Sequence, residues 1–223
     1  MKSLKLRILL LTILLVKVEA QEIVWENRSP ETNARTVLLK ETEEREGLKC
    51  IPGKKLPFTG KIFSPYNKRL RSIESNYRRG KKHGIETTYI SGLVYRTTEY
   101  NANFESAKKH GLETQYSKAG GPIWYTTQYE DGKRNGPQTE FYWENGKIRS
   151  VKQYLDDVPV DVEVGYSVNG IKTSEVPYRN GVKDGFAIEN FEDGSPLNRA
   201  LWVNGEKEGK EIRFYKNGRA ARR

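Results

Sequence analysis

Residues 77–84 read "YRRGKKHG". An aromatic residue is followed by glycine three and seven positions later, and the pattern returns along the chain. It recurs as "YEDGKRNG" from Tyr129, "YRNGVKDG" from Tyr178 and, with tryptophan leading, "WVNGEKEG" from Trp202. "FESAKKHG" from Phe104 and "YLDDVPVD" from Tyr154 are degenerate copies in the same phase. The closing positions are Gly84, Gly111, Gly136, Asp161, Gly185 and Gly209, at spacings of 27, 25, 25, 24 and 24, and Gly60 lies 24 before Gly84. Self-similarity at a fixed period of this size marks a repeat architecture.

A second punctuation follows each closing position by about nine residues: "ISG" (90–92), "KAGG" (118–121), "ENG" (144–146), "VNG" (168–170), "EDG" (192–194) and "KNG" (216–218). Asn-Gly and Asp-Gly suit tight hairpin turns because these residues tolerate positive φ. Between the turns lie runs such as "IETTYI", "LVYRTTEY", "KIRSVKQY" and "EIRFYK", rich in Thr, Tyr, Val and Ile, which read as strands. The expected fold is all-β: an elongated single-layer antiparallel meander of about six to seven 24–25-residue hairpin repeats over 47–223. Its expected turn glycines are Gly80, Gly84, Gly111, Gly132, Gly136, Gly181, Gly185, Gly205 and Gly209. Asp157 and Asp161 replace both glycines of one unit, which predicts a turn of different shape there. A lone hairpin is marginal, so stacked neighbours must stabilise each unit. Two aromatic series should pack along the sheet: Tyr66, Tyr89, Tyr116, Phe141, Tyr166, Phe191 and Phe214, and Tyr77, Tyr100, Tyr129, Tyr154, Tyr178 and Trp202.

Composition agrees with a thin, wet sheet. Hydrophobic residues make up 35% of the chain, below the ~45–50% usual for globular proteins. The start, "MKSLKLRILLLTILLVKVEA", has Lys2, Lys5 and Arg7, an apolar run from Ile8 to Val16 and a small residue at Ala20. That is the form of a signal peptide, with cleavage expected after Ala20. The run makes about 14 Å of helix, short of the ~30 Å bilayer core; Lys17, close to the cut, keeps a retained anchor open. Loss of 1–20 removes four basic residues and one acidic residue, taking the formal charge from +10 to +7. Residues 21–46 read as a partly flexible leader with a strand around Thr36–Lys40. "NRS" at 27–29 matches a glycosylation sequon, followed by Pro30, and is read as a chance match. The chain has one cysteine, Cys50, so an intramolecular disulfide is impossible; it reads as a small apolar strand residue.

At this point the residues resemble a known family. The tandem aromatic–glycine punctuation, together with "GLKCIPGKKLPFTGKIF" (47–63), is similar to the bacterial MORN-repeat variants (membrane occupation and recognition nexus). In that lead-in Cys50 stands where the family commonly has tyrosine. The resemblance covers about 47–223. It implies an elongated, twisted antiparallel sheet with no shared catalytic site. Bacterial members carry antitoxin-like labels, and eukaryotic relatives are linked to protein scaffolding and to membrane lipids.

The histidines, His83 and His110, are the only two in the chain. Their slot holds Asn135, Val160, Asp184 and Glu208 elsewhere, which reads as a permissive, solvent-facing turn position rather than a catalytic or metal-ligating one. Phosphate-loop, serine-hydrolase and metalloprotease signatures are absent, and no pair among the scattered carboxylates stands out as a glycosidase pair. No cofactor, metal or catalytic residue is expected. The lysines carry more interest. Lys81, Lys82, Lys108, Lys109, Lys133 and Arg134 fall in successive turns of one phase, so a meander should gather them into a basic edge for an anionic partner. Nucleic acid is not expected, given export. The resulting expectation is an exported, non-enzymatic repeat protein that binds a protein partner in the envelope, the periplasm or outside the cell. The alternatives are an antitoxin- or immunity-like toxin binder and a peripheral binder of anionic lipid or wall polymer; open sheet ends leave self-association available.

Overall fold

A computed structural model describes residues 35–66, 71–100 and 108–221. The signal-peptide reading, the start of the leader and Phe104 lie outside those residues. Strands β1 (Thr36–Leu38), β2 (Glu43–Arg45), β3 (Leu48–Cys50), β4 (Gly60–Tyr66), β5 (Arg71–Arg78) and β6 (Lys81–Ile90) open the chain. They are followed by β7 (Leu93–Tyr100), β8 (Lys109–Tyr116), β9 (Ile123–Glu130), β10 (Lys133–Phe141), β11 (Ile148–Leu155) and β12 (Val158–Tyr166). The last are β13 (Lys172–Arg179), β14 (Val182–Lys183), β15 (Gly185–Asn190), β16 (Pro196–Val203) and β17 (Glu206–Arg213). From β4 to β17 the strands pair antiparallel in chain order, with β14 and β15 both on β13, in one 15-stranded sheet that also takes in β1. This is the elongated single-layer meander expected from the repeat. The described residues contain no α-helix, only one 3-10 turn at Leu39–Glu41.

The two glycines of each repeat do different jobs. The first ends a two-residue turn: Arg79–Gly80 (φ 50° and 78°), Asp131–Gly132 (47°, 90°), Asn180–Gly181 (50°, 87°) and Asn204–Gly205 (49°, 87°) all carry paired positive φ. That is the signature of a type I′ hairpin. The second glycine is not a turn residue, which corrects the expectation for Gly84, Gly111, Gly136, Gly185 and Gly209. Gly84, Gly111, Gly136 and Gly209 lie inside strands and Gly185 opens one. Pairing jumps across them, from Tyr77–Lys82 to Ser75–Glu86, from Tyr100–Lys109 to Thr98–Glu113 and from Tyr129–Arg134 to Thr127–Gln138. These are β-bulges, and their glycines supply the left-handed residue.

The unit lacking both glycines keeps the same backbone. Asp156 and Asp157 have φ of 50° and 70°, and Asp161 has 55°, so the expected change of shape does not occur. Aspartate tolerates this region, and Arg134 holds Asp157 there through its backbone N–H (3.0 Å) and Nε (2.9 Å) to the carboxylate.

The described core is small and sits at one end. Val37, Phe58 and Ile62 are buried together, with Ile51 and Tyr77 packed against them. Strand β1 lies parallel on β4, and the β2–β3 hairpin folds beside it. Residues 36–45, read from sequence as leader, therefore belong to the fold. Cys50 is buried and free in β3. Phe58 lies 24 residues before Lys82, so in this first unit an apolar ring replaces the repeat's cation and makes a cap. The far edge, β17, carries the charged sequence "EKEGKEIR", a pattern that discourages edge pairing.

Gly80 joins the cap to the repeats. A Cβ there would meet Leu48 Cβ at 2.8 Å, Lys49 O at 2.9 Å and Pro57 Cβ at 3.0 Å, whereas at Gly209 nothing lies within 4 Å. Gly209→Ala should then cost only the left-handed backbone penalty, about 1 kcal/mol, and Gly80→Ala about 3 kcal/mol because overpacking adds to it. Urea unfolding of the two variants measures the difference; equal midpoints would refute the cap's role.

Candidate functional site

The residues singled out as a basic edge form a ladder on one sheet face. Lys82 Nζ meets Glu86 Oε2 at 2.5 Å and lies 5.0 Å from the Tyr100 ring centroid. One unit on, Lys109 meets Glu113 at 2.6 Å and lies 4.6 Å from the Tyr129 ring. Next, Arg134 pairs with Asp157 at 2.9 Å, its Cζ 4.0 Å from the Tyr154 ring. Further along, Lys183 lies 4.6 Å from the Trp202 ring, and Lys207 pairs with Glu211 at 2.6 Å. In the unit where Pro159 occupies the cation slot, Lys152 crosses from β11 instead: it meets Glu163 at 3.0 Å, the Tyr178 hydroxyl at 3.1 Å and the Tyr178 ring at 4.2 Å.

The bulge makes this possible. Residues four apart in a regular strand are separated by about 13 Å. The extra residues shorten that span, setting Lys82 and Glu86 opposite Tyr77 and Ser75, only two residues apart on β5. Hydroxyls complete the network: Ser75 Oγ donates to Glu86 at 2.6 Å, and Thr98 Oγ1 donates to Glu113 at 2.9 Å. A Ser–Glu–Lys cluster taken alone resembles catalytic machinery. Its repetition as Thr98–Glu113–Lys109 in the next unit supports a structural reading.

Burial alone would raise the Glu86 carboxyl, but hydrogen bonds from Lys82 and Ser75, the Lys82 charge and the Tyr100 hydroxyl outweigh it and hold it below its ordinary value. Burial, then the Glu86 and Glu44 charges, pushes Tyr77 up to about 12. Burial, then the Glu86 charge and hydrogen bond, does the same to Tyr100. At the open end Lys207 and Arg213 bring Glu211 down to about 2.

The other predicted cations are also engaged. Lys133 lies 3.6 Å from Asp156. Lys108 would touch a Cβ placed at Gly132 with its alkyl stem, at 3.4–3.5 Å. Lys81 has an interaction partner as well. Four of the six cations of the expected edge, Lys82, Lys109, Lys133 and Arg134, therefore stand beside carboxylates. His83 and His110 sit in the bulges of β6 and β8, not in turns; both Nδ1 atoms are enclosed without a hydrogen-bond partner. Among the described residues, no group of three or more His, Cys, Asp or Glu is placed to hold a metal ion.

The opposite face was not anticipated. Cross-strand pairing puts Thr87, Thr97, Thr114, Thr126 and Thr139 in one unbroken row over β6–β10, continued by Val151 and Val164. Beside it Ile85, Leu112, Val162 and Phe186, each following a bulge glycine or its Asp161 substitute, are 54%, 45%, 41% and 48% exposed. This face mixes threonines, of which Thr114 is buried, with aliphatic side chains and with Glu99 and Gln128, the cross-strand partners of Ile85 and Leu112. The signal in sequence was the residue after each bulge position. A second feature lies on the Asn-Gly rim, where Trp124 and Trp143 line an open groove of about 470 Å³ with Ser117, Lys118 and Pro122.

Compared with known proteins, the chain matches no family model and no curated relative.

The ladder sets the pH range of the fold. Glu86 has a depressed folded value, so its stabilisation is complete above about 4.5 and is lost as pH falls through that lower value. Tyr77 and Tyr100, raised from 10.0 to about 12, keep their protons longer in the folded state, so stability falls as pH rises from 10 to 12. Thermal melts across pH should show both limbs. Glu86→Gln should flatten the acid limb and lower stability at neutral pH by about 2 kcal/mol, while Glu211→Gln leaves the melt unchanged.

Proposed function

We propose that this chain is an exported, non-enzymatic binding protein that engages a protein partner through the threonine–aliphatic face of its sheet. The observation that supports this most is the contrast between the two faces. One face is covered by the molecule's own cations lying over its own rings. The other exposes Ile85, Leu112 and Val162, while Phe186 beside them carries the Arg199 guanidinium, its Cζ 3.9 Å from the ring centroid. Aligned apolar exposure of this kind marks interaction surfaces. The signal-peptide form of 1–20 supports export, and the punctuation shared with bacterial MORN variants supports a scaffold role. An antitoxin- or immunity-like role is one form this binding can take.

The anionic-surface alternative is the weaker reading, because Lys82, Lys109, Lys133 and Arg134 already have acidic partners. Two measurements test the proposal. Mature protein recovered from the producing cells should begin at Gln21, in an extracytoplasmic fraction; an intact Met1 in the cytoplasm would sink export. Leu112→Ser and Val162→Ser together should lower recovery of the partner in envelope pull-downs at least about tenfold with the melt unchanged. Wild-type retention on anionic vesicles that weakens steeply with salt, and is untouched by the two serines, would instead favour the surface alternative.

A further inference from the structure

Trp124 and Trp143 stand at positions where the repeat does not require tryptophan. The slot of Trp124, five residues before the ladder aromatic, holds Tyr95, Arg149, Thr173 and Leu197 in other units. The slot of Trp143, first in the Asn-Gly-type turn, holds Lys118, Val168, Glu192 and Lys216. The fold therefore accepts charged and polar residues at both, yet two adjacent units place indoles there, 41% and 61% exposed. Large apolar side chains held in solvent at permissive slots point to a ligand rather than to packing.

The groove walls are fixed in advance. On one side Ser117 N–H donates to Pro122 O at 3.0 Å and Gly120 N–H to Val94 O at 2.8 Å. On the other, Tyr142 N–H donates to Lys147 O at 2.8 Å, the Tyr142 hydroxyl to Tyr166 O at 2.8 Å and Asn145 Nδ2 to Val168 O at 3.0 Å. A preformed site loses little entropy on binding. Its lining of Ser117, Lys118, Pro122, Trp124 and Trp143 includes no carboxylate and no side-chain amide. A glycan chain, dense in hydroxyls, would find few partners there. A polyproline II segment fits better: its rings lie flat against aromatic walls, and its carbonyls, free of internal hydrogen bonds, can accept from indole N–H groups. Lys118 adds a charge criterion. Lys82, Lys109, Lys133 and Arg134 are ion-paired, whereas among the described residues no carboxylate meets Lys118. An acidic residue on the ligand would complement it.

We propose that the Trp124–Trp143 groove binds an extended proline-rich peptide, with Lys118 selecting an acidic residue beside the prolines. This rests on the protein-binding reading above and names the chemistry of one partner segment.

The test titrates the mature chain with acetylated decaproline and with decaproline carrying glutamate at each end, followed by tryptophan emission and calorimetry. Both peptides should shift the emission, the glutamate-flanked one binding about two- to fivefold tighter. Trp143→Ala should weaken both at least about tenfold while circular dichroism stays unchanged. Lys118→Gln should erase only the preference between the peptides, and it keeps the idea testable if Trp143→Ala does not fold. No emission change at millimolar peptide, equal binding by Trp143→Ala, or a shift with cellohexaose and none with the peptides overturns the proposal. If the peptides fail while Leu112→Ser with Val162→Ser still loses the partner, the groove assignment falls and the broader reading stands. If the peptides bind while those serines change nothing, the sheet-face reading falls alone.

Discussion

A one-layer sheet has no second layer to pack on, so each repeat must be held by the next. The contact that does this is a backbone stitch. The second residue of each I′ turn donates its N–H to a carbonyl of the preceding repeat: Gly132 to Lys109 at 2.7 Å, Asp157 to Arg134 at 2.9 Å, Gly181 to Pro159 at 3.2 Å and Gly205 to Lys183 at 2.9 Å. Each bond bridges two successive repeats at the cation slot, the earlier repeat supplying the acceptor. The side chain at that slot then lies over the aromatic ring that opens the turn. Backbone and side chain therefore fix the same junction, and the remaining features of the face follow from it. The first junction has the same geometry with different chemistry: Gly80 donates to Phe58 O at 2.6 Å, and the phenylalanine makes the cap that begins the array.

The repeat period, the strand runs and the I′ turns were legible because each rests on local chemistry. Glycine, asparagine and aspartate at fixed offsets are needed wherever φ is positive. The bulges were not legible for the same reason. A glycine at positive φ looks alike in a turn and in a bulge, and only the partner strand's register separates Gly80 from Gly84. The Asp156–Asp157 turn shows the converse: the residues changed and the conformation did not, because Arg134 supplied the missing support from 23 residues away.

The pairing of the ladder cations was hidden by another non-local fact. Each cation was read against its neighbours in sequence, but its neutralising groups are reached by geometry. Glu86 arrives through a bulge, and Asp156 and Asp157 arrive from the adjacent turn. A pI of about 9.5 thus overstates what the ladder face offers a polyanion. Part of that value belongs to 1–20, and on the ladder face each paired cation stands beside a carboxylate while its stem shields the ring beneath it.

Repetition supplies an internal control that a single-copy fold lacks. A position that holds cation, cation, cation, proline, cation and cation (Lys82, Lys109, Arg134, Pro159, Lys183, Lys207) is under a structural rule, and the one exception is repaired by Lys152. A position that holds tyrosine, tryptophan, arginine, threonine and leucine is under none. The same comparison that finds a copy of the Ser75–Glu86–Lys82 cluster one unit on, in Thr98–Glu113–Lys109, finds none for Trp124 and Trp143. On the binding reading proposed above, specificity resides where the copied parts differ, and Trp124 near the start of β9 with Trp143 in the next turn is such a place.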